Sequence, residues 1–171
     1  MPTSYRRYNR RIKGLLRNRF PITTVVLDVG PGTGKYARLL SGYPVDCLEV
    51  WEPYVAKFKL AEKYRIAMTG DVIDFHHFSD YQLVILGDVL EHLSSIDGQD
   101  VVGRIIAAGA ALFVAVPFKS RQGPCHGNIY ETHLQSDLTP AVMFRRYPRL
   151  FCMYKDRKYG LYLGPESKVV K

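Results

Sequence analysis

The first candidate for chemistry in this sequence is a glycine-rich segment that follows the first apolar run. Gly30, Gly32 and Gly34 occupy alternate positions directly after Val25–Val29, a run that Asp28 alone interrupts. Glycine allows a sharp turn and the close approach of a backbone to a ligand. The segment therefore predicts a ligand-binding loop that follows a buried strand.

The spacing of this loop excludes two common glycine motifs. In the dinucleotide motif GxGxxG the third glycine comes one residue later than Gly34 does here. A P-loop has four residues between its first glycine and Gly-Lys, followed by Ser or Thr. Here three residues separate Gly30 from Gly34, and Tyr36 stands where the magnesium-binding hydroxyl belongs.

Two acidic residues end the next two predicted strands. Glu49 comes about 20 residues after the loop, where a carboxylate can accept hydrogen bonds from both hydroxyls of a ribose. An acid beside Val50 and Trp51 also needs a polar partner if it is buried. Asp71 ends the third predicted strand, where it is either a ligand contact or a helix cap on the surface.

Asp88, Glu91 and His92 are spaced i, i+3, i+4, so one helical turn would point all three in one direction. Two carboxylates and an imidazole can hold a divalent ion: oxygen ligands favour Mg²⁺ or Mn²⁺, and histidine favours Zn²⁺ or Fe²⁺. His92 is also a candidate base, together with His126 and His133 of a later segment. The alternative is that His92 only packs or forms a hydrogen bond and that no metal is bound.

Taken in order, these segments resemble the motifs of class I methyltransferases that use S-adenosylmethionine (SAM). The DxGxGxG segment Asp28–Gly34 resembles the first motif, and Leu83–Leu93 resembles the fourth, where a strand end meets the methionine part of SAM. The match extends from about Val25 to Phe118. The resemblance implies a methyltransferase with SAM as its cofactor.

The resemblance also assigns residues to the cofactor, with Glu49 at the ribose, and Asp71 and Val72 at the adenine. The full implied set is Asp28, Gly30, Pro31, Gly32, Gly34, Glu49, Val50, Asp71, Val72, Gly87 and Asp88. In addition, the spacing of Asp88, Glu91 and His92 is similar to the Glu-x-x-Glu-His metal set of small-RNA 2′-O-methyltransferases and some quinone-biosynthesis O-methyltransferases. Here the first acid is Asp88, whose side chain is one methylene shorter than the glutamate of that set.

The methyl acceptor is not indicated by any motif. Gly87–Leu90 stands where amino-directed nucleic-acid methyltransferases have an Asn/Asp-Pro-Pro-aromatic signature. Pro124-Cys125 resembles the Pro-Cys nucleophile of cytosine methyltransferases, but it follows the fifth predicted strand rather than the fourth, so Cys125 is interpreted as an ordinary thiol. The acceptor is therefore either a small molecule or a nucleic acid. The alternative function is a non-enzymatic nucleotide- or nucleic-acid-binding module that retains the methyltransferase fold.

Near-continuous apolar strands alternate with helices, which predicts an α/β fold with a doubly wound, mostly parallel sheet and a C-terminal antiparallel hairpin. The polar segment Lys119–Asp137 is too long for a simple connection and is predicted to be a functional loop. The overlapping tract Pro117–His133 is predicted to form the acceptor wall, and the alternative is a mobile, solvated loop. The predicted strands are Val25–Val29, Asp46–Val50, Ile66–Val72, Tyr81–Gly87 and Ala111–Phe118, with the hairpin in Phe151–Lys158 and Tyr159–Leu163. The predicted helices are Lys35–Leu40, Pro53–Tyr64, Asp97–Ala110 and one that begins at Thr139-Pro140.

The charge pattern separates a basic arm, residues 1–20, from one predicted SAM-binding domain, residues 21–171. Seven of the net +8 charges lie in residues 1–19, which contain no acid. Tyr5, Tyr8, Ile12 and Leu15 recur at helical spacing, so we predict an amphipathic helix with its arginines outward. It would cover the SAM site or bind a polyanion such as a nucleic acid, with Tyr5 and Tyr8 stacking on bases; the alternative is a solvated helix packed by its tyrosines.

Composition predicts a cytoplasmic protein that binds no membrane. The chain of 171 residues has 47% hydrophobic and 23% charged residues, and no apolar run approaches the roughly 18 residues that a membrane span needs. Its three cysteines lack CxxC spacing, which favours reduced thiols over a disulfide framework or a zinc site.

Overall fold

Seven strands form the centre of the structure, a computed structural model that describes residues 6–165. The strands are β1 Val26–Val29, β2 Val45–Glu49, β3 Ala67–Thr69, β4 Leu83–Gly87, β5 Ala111–Pro117, β6 Phe151–Lys155 and β7 Tyr159–Leu163. Their order in the sheet is β3-β2-β1-β4-β5-β7-β6. The first five run parallel, and β7 pairs antiparallel with both β5 and β6. The predicted parallel sheet with a C-terminal hairpin is confirmed.

Helices cover both faces of the sheet. They are α1 Asn9–Arg19, α2 Lys35–Leu39, α3 Glu52–Lys57, α4 Ser95–Ala107 and α5 Pro140–Arg146. Successive residues of β1 point to opposite faces, so Leu27 packs with α4 and α5, whereas Val26 packs with α1 and α2. Every residue of the five strands β1, β2, β4, β5 and β7 is buried, as a sheet covered on both faces requires.

The basic segment forms a helix that belongs to the core on one face of the sheet. Ile12 and Leu16 of α1 are fully buried, and the Tyr8 ring stacks on Tyr159 with 4.9 Å between ring centroids. Tyr8 is only 3% exposed, so the prediction that it stacks on bases is wrong. Tyr5, its predicted companion, lies outside the described residues.

Among the predicted elements that are shorter than expected, two end at local breaks of the backbone. The predicted helix Pro53–Tyr64 is interrupted at Lys59, whose φ of 50° is left-handed, and a single 3-10 turn follows at Leu60–Glu62. The predicted strand Ile66–Val72 ends at Thr69 because Asp71 closes a turn: its Oδ1 accepts a hydrogen bond of 2.9 Å from the N–H of Ile73. The periodicity of apolar residues in the sequence does not reveal such local breaks.

Within residues 6–165, no helix has the length and apolar character needed to cross a bilayer. The three cysteines are free thiols, with Cys47 buried and Cys152 exposed.

Candidate functional site

A cavity of about 780 Å³ opens at the carboxyl ends of the central strands. β1 lies between β2 and β4 in the sheet, so the chain turns to opposite sides after β1 and β4 and leaves a crevice at that point. Most of the residues assigned to a cofactor line it, namely Gly30, Pro31, Gly32, Glu49, Val50, Asp71, Val72, Gly87 and Asp88. Asp28 and Gly34 are outside this lining.

The glycine loop has the left-handed backbone that its sequence suggests. Gly30, Gly32 and Gly34 have φ values of 62°, 50° and 83°, a region that side-chain-bearing residues avoid. A Cβ on Gly30 would lie 2.9 Å from Cγ2 of Val89, in the segment after β4. Glycine at this position therefore lets the loop approach the neighbouring strand end.

Asp28 supports this loop from beneath rather than facing the cavity, a placement that differs from the expected cofactor contact. Its side chain is fully buried, and its Oδ2 accepts a hydrogen bond of 2.5 Å from the hydroxyl of Tyr64. Burial raises the pKa of Asp28 to about 7, although the Tyr64 hydrogen bond and the charge of Lys35 oppose the shift.

Glu49 is the last residue of β2, and Asp71 follows β3, so the two acids lie on one side of the cavity. Glu49 is buried, and its Oε1 accepts a hydrogen bond of 2.9 Å from the N–H of Trp51. Burial raises the pKa of Glu49 to about 7, partly opposed by backbone N–H donors that include Trp51. Asp71 is partly exposed, with one oxygen engaged in the turn to Ile73.

Asp88 lies on the other side of the cavity, after β4, in a left-handed conformation with a φ of 61°. Its Oδ1 accepts a hydrogen bond of 2.5 Å from the hydroxyl of Tyr159 in β7. Its Oδ2 lies 3.8 Å from Nζ of Lys35, the buried first residue of α2. Only Leu90–His92 form a helical turn, of 3-10 type, so the prediction that one turn aligns Asp88 with Glu91 and His92 is wrong.

The structure instead brings Glu91, His92 and His133 together, with one potential ligand atom from each within 4.8 Å of the others. The imidazole rings of the two histidines are 4.7 Å apart, edge to face. Burial is the main cause that lowers the pKa of His92 to about 4, and the neighbouring His133 adds to it. Burial, followed by the charge of Asp88, raises the pKa of Glu91 well above its usual value.

Backbone carbonyls fix the orientation of both imidazoles. Nδ1 of His92 is 3.2 Å from the carbonyl oxygen of Thr132, and Nδ1 of His133 is 2.9 Å from that of Ser120. Because a carbonyl oxygen only accepts hydrogen bonds, Nδ1 carries a hydrogen on each ring, and in the neutral form of the ring Nε2 keeps its lone pair. The cluster can thus take up a proton or hold a cation.

His126, the third predicted histidine, lies apart from this cluster. It is exposed, has a φ of 52°, and is outside the lining of the cavity. It belongs to a tight turn in which Cys125 and Asn128 pair through their backbones. The structure therefore groups only two of the three predicted histidines.

The segment Lys119–Asp137 borders the cavity and is held by its own polar side chains. Gln122 donates to the carbonyl oxygen of Glu131 at 2.8 Å, and Asn128 accepts from the N–H of Tyr130 at 2.9 Å. The lining from this segment comprises Ser120, Gln122, Asn128, Tyr130, Glu131, His133 and Leu134. The segment therefore borders the cavity, and its role as the acceptor wall stays a prediction.

Lys35, which lines the cavity, and Tyr159, which donates to Asp88, are two residues of the site that sequence reasoning did not select. Lys35 directly follows the third glycine of the loop, a position from which it could have been inferred. Tyr159 reaches Asp88 from a strand 71 residues later, and no sequence spacing indicates that contact.

The chain matches no protein-family model and no curated protein sequence. It is similar to solved structures that cover most of it. Magnesium protoporphyrin IX methyltransferase from Synechocystis with bound S-adenosylhomocysteine (SAH) is 15% identical, with a TM-score of 0.66 over 92% of this chain and 81% of that one. The Burkholderia thailandensis 1,6-didemethyltoxoflavin-N1-methyltransferase with SAH is 17% identical, with a TM-score of 0.66 over 91% and 76%.

Human N-acetylserotonin methyltransferase in complex with SAM is 16% identical, with a TM-score of 0.66 over 92% of this chain and 51% of that one. The three neighbours share their architecture with this chain at low sequence identity. The chain therefore has the class I methyltransferase fold.

Proposed function

We propose that this chain, with its class I methyltransferase fold, is a SAM-dependent methyltransferase whose acceptor enters beneath the Lys119–Asp137 segment. One observation carries the proposal: the glycine loop, Glu49 and Asp71 follow three adjacent parallel strands and line a single cavity of about 780 Å³. This volume suits a ligand of nucleoside size with space beside it. The neighbouring structures with bound SAM or SAH add support from the fold.

The residues on the β2 and β3 side are assigned to the nucleoside. The Glu49 carboxylate accepts hydrogen bonds from the ribose hydroxyls, while Asp71 and Val72 contact the adenine. The backbone at Gly30 and Gly32 approaches the ligand without a side chain in the way. Buried polar atoms without a hydrogen-bond partner in residues 6–165, among them Lys35 Nζ, Asp88 Oδ2 and Glu91 Oε2, fit a polar ligand in this cavity.

The acceptor side is assigned to the histidine cluster. SAM supplies a methyl group already activated by its sulfonium, so the protein mainly has to align the acceptor with that group and exclude water. Where the acceptor must lose a proton, Nε2 of His92 or His133 accepts it, since the Nδ1 contacts place the hydrogen of the neutral ring on the other nitrogen. Alternatively, the same nitrogens and Glu91 hold a divalent cation, which would bind and polarise the acceptor oxygen.

A non-enzymatic module that keeps the fold is the competing function. The histidine cluster counts against it, because Glu91, His92 and His133 border the same cavity as the glycine loop. A module that only binds a nucleotide has no use for such a cluster on its acceptor side.

The proposal is tested by calorimetry of SAH with the wild-type protein and Glu49→Gln. The variant removes the charge of the carboxylate that accepts hydrogen bonds from the two ribose hydroxyls. We therefore expect the free energy of SAH binding to become less favourable by roughly 1.5–3 kcal/mol at pH 8. Because the pKa of Glu49 is raised to about 7, its charged form is depleted at pH 6. Wild-type affinity should therefore rise up to about tenfold from pH 6 to pH 8, and Glu49→Gln should show no such rise.

Glu62→Gln is the matched control, because the Glu62 side chain is 69% exposed and lies outside the cavity. It should bind SAH as the wild type does at both pH values. A wild-type protein that does not bind SAH would refute the proposed function. If Glu49→Gln binds SAH as tightly as the wild type does, the proposed role of Glu49 at the ribose is refuted.

A further inference from the structure

The cavity carries many more acidic than basic side chains. Of the described residues that line it, Lys35 is the only lysine or arginine, and its Nζ lies 3.8 Å from Oδ2 of Asp88. The acidic side chains in the lining are Glu49, Asp71, Asp88, Glu91, Asp97 and Glu131. Carboxylates that are removed from water need hydrogen-bond donors or cations around them. This cavity therefore favours a ligand that brings positive charge or N–H donors.

Glu131 is a buried acid on the acceptor side, and neither the nucleoside nor the histidine cluster accounts for it. It is 9% exposed and lines the cavity. Its Oε2 accepts a hydrogen bond of 3.1 Å from Nε2 of Gln122, and the carboxylate has further lone pairs. Burial is the main cause that raises the pKa values of Glu49 and Glu91, and the charge of Glu131 adds to both shifts. Glu131 is therefore close to both the proposed ribose site and the histidine cluster.

Buried polar atoms without a partner surround Glu131. Tyr54 lines the cavity and is 4% exposed, and its hydroxyl has no hydrogen-bond partner within residues 6–165. Burial raises the pKa of Tyr54, and Asn128 and Glu131 are close enough to shift it as well. Oε2 of Glu91 is a second such atom. Acceptors of this kind fit a ligand with several N–H donors, whereas a phosphate or carboxylate would add negative charge and further acceptors.

Apolar side chains of the same segment form the outer part of this side of the cavity. Tyr130 and Leu134 line the cavity and are 44% and 62% exposed. The ring of Trp51 packs beside Tyr130, with 6.2 Å between ring centroids. Aromatic faces contact an apolar body and also attract a cation. The acceptor side thus combines an apolar entrance with an acidic interior.

We propose that the methyl acceptor is a primary amine on an aromatic body, with the Glu131 carboxylate and the Tyr54 hydroxyl accepting hydrogen bonds from its N–H groups. Tyr130 and Leu134 contact the aromatic body. The inference rests on the proposed function and names the acceptor class that the function leaves open.

The chemistry of methyl transfer to an amine agrees with an acid at this place. The ammonium loses one proton to bulk water, and the nitrogen lone pair then forms a bond to the methyl carbon of SAM. The bond between sulfur and that carbon breaks, and its electron pair stays on sulfur, so the products are SAH and a methylated ammonium. Positive charge thus moves from sulfur to nitrogen, and a carboxylate beside the nitrogen stabilises the transition state. The competing explanation is that Glu131 attracts only the positive sulfonium of SAM.

The experiment compares ligands that share an aromatic body and differ in charge. Protein saturated with SAH is titrated, in the presence of EDTA to remove metal ions, with the arylethylamine, arylethanol and arylacetate of phenyl, naphthyl and indolyl bodies. Affinities are measured by NMR of the ligands. For the body that binds best, we expect the amine to bind at least about tenfold more tightly than the alcohol, and the carboxylate to bind most weakly. Labelled SAM should transfer its methyl group to that amine.

Glu131→Gln removes the charge and keeps an oxygen that accepts from Gln122. We expect it to reduce the preference for the amine over the alcohol at least about fivefold, while the affinity for SAH changes less than about twofold. Glu62→Gln is the matched control, since Glu62 is exposed outside the cavity, and it should keep the wild-type preference.

The comparison of ligands on the wild type needs no variant and stands even if Glu131→Gln fails to fold. The proposal is overturned if amine, alcohol and carboxylate bind equally, if the carboxylate binds best, or if no amine of the set binds while SAH does. It is also overturned if Glu131→Gln keeps the preference for the amine but binds SAM more weakly relative to SAH, because Glu131 then serves the sulfonium. A wild-type protein that does not bind SAH would instead refute the proposed function.

Discussion

At the scale of single residues, burial shifts the pKa values of Lys35, Glu91 and His92 toward the uncharged forms of these groups. Burial raises the pKa of Glu91 well above its usual value and lowers that of His92 to about 4, so the His92 ring is neutral at pH 7. Neutral imidazoles with Nδ1 donating to carbonyls are the form in which histidine binds metals. A cation entering the cluster would favour the ionised form of Glu91, which burial opposes.

A metal site at this cluster makes a prediction that separates the three candidate histidines. We expect wild-type protein dialysed after incubation with Zn²⁺ or Mn²⁺ to retain about one ion per chain, measured by mass spectrometry of the metal. His133→Ala should lose it, because one of three assembled ligands is removed. His126→Ala is the control and should retain it, since His126 is exposed outside the cavity. Equal loss in both variants, or no retention by wild type, would contradict the metal site and leave the histidines as proton acceptors.

The glycine loop and the acids at the strand ends were predictable from the sequence because each is encoded locally. Alternate glycines require particular backbone angles, and an acid after an apolar run is visible in the sequence. The pairing of His92 with His133 was not predictable, since a segment of 40 residues separates them and their approach depends on how that segment folds. The left-handed backbone at Asp88 was also missed, because helical spacing assumes a continuous turn.

At the scale of elements, Gln135 joins the segment after β5 to the turn after β4. Its Nε2 donates to the carbonyl oxygens of Leu90 at 2.7 Å and Leu93 at 3.2 Å, and its side chain also pairs with the hydroxyl of Tyr147. Gln135 is 3% exposed, so these groups have no alternative partner in water. The contact places His133 beside His92, although the sequence around Gln135 reads only as a polar loop.

Replacing Gln135 by leucine keeps the volume but leaves buried carbonyls and a hydroxyl without their donor. We expect the free energy of unfolding to fall by about 2–4 kcal/mol, measured by urea denaturation. SAH affinity should change little, because the glycine loop and Glu49 are not touched. The control is Gln99→Leu, an exposed position on α4, for which we expect a change below about 0.5 kcal/mol. A similar stability for the two variants would show that the Gln135 contacts contribute little.

At the scale of the whole molecule, the fold was more predictable than its helix α1. The alternation of apolar strands and helices indicated the parallel sheet and the closing hairpin, since both follow from local periodicity. The docking of α1 through Ile12 and Leu16 against the β6–β7 side involves partners more than 100 residues apart, which a single sequence does not reveal. Deleting residues 1–19 would therefore expose core side chains as well as remove charge.

The charge of α1 is still asymmetric, because its basic side chains face outward and it carries no acid. We expect this surface to bind a polyanion, with single-stranded RNA as the probe, through contacts with phosphates. Each such contact steepens the fall of log affinity with log salt by about 0.7 for a single strand. Arg10→Gln with Lys13→Gln should therefore reduce the slope by about 1.4 while leaving the docked face of α1 intact.

The control for α1 is the pair Arg145→Gln and Arg149→Gln, exposed residues at and beyond the end of α5, which packs on the opposite face of the sheet. This pair of substitutions removes the same charge as the α1 variant. An equal loss in the slope of log affinity against log salt would mean that net charge alone attracts RNA and that α1 has no special role. An unchanged slope in the control and a reduced slope in the α1 variant would favour a nucleic-acid acceptor or partner. If the wild-type protein retains no RNA at low salt, the α1 surface is not a polyanion site. The acceptor of the proposed methyl transfer would then be a small molecule enclosed by the Lys119–Asp137 segment.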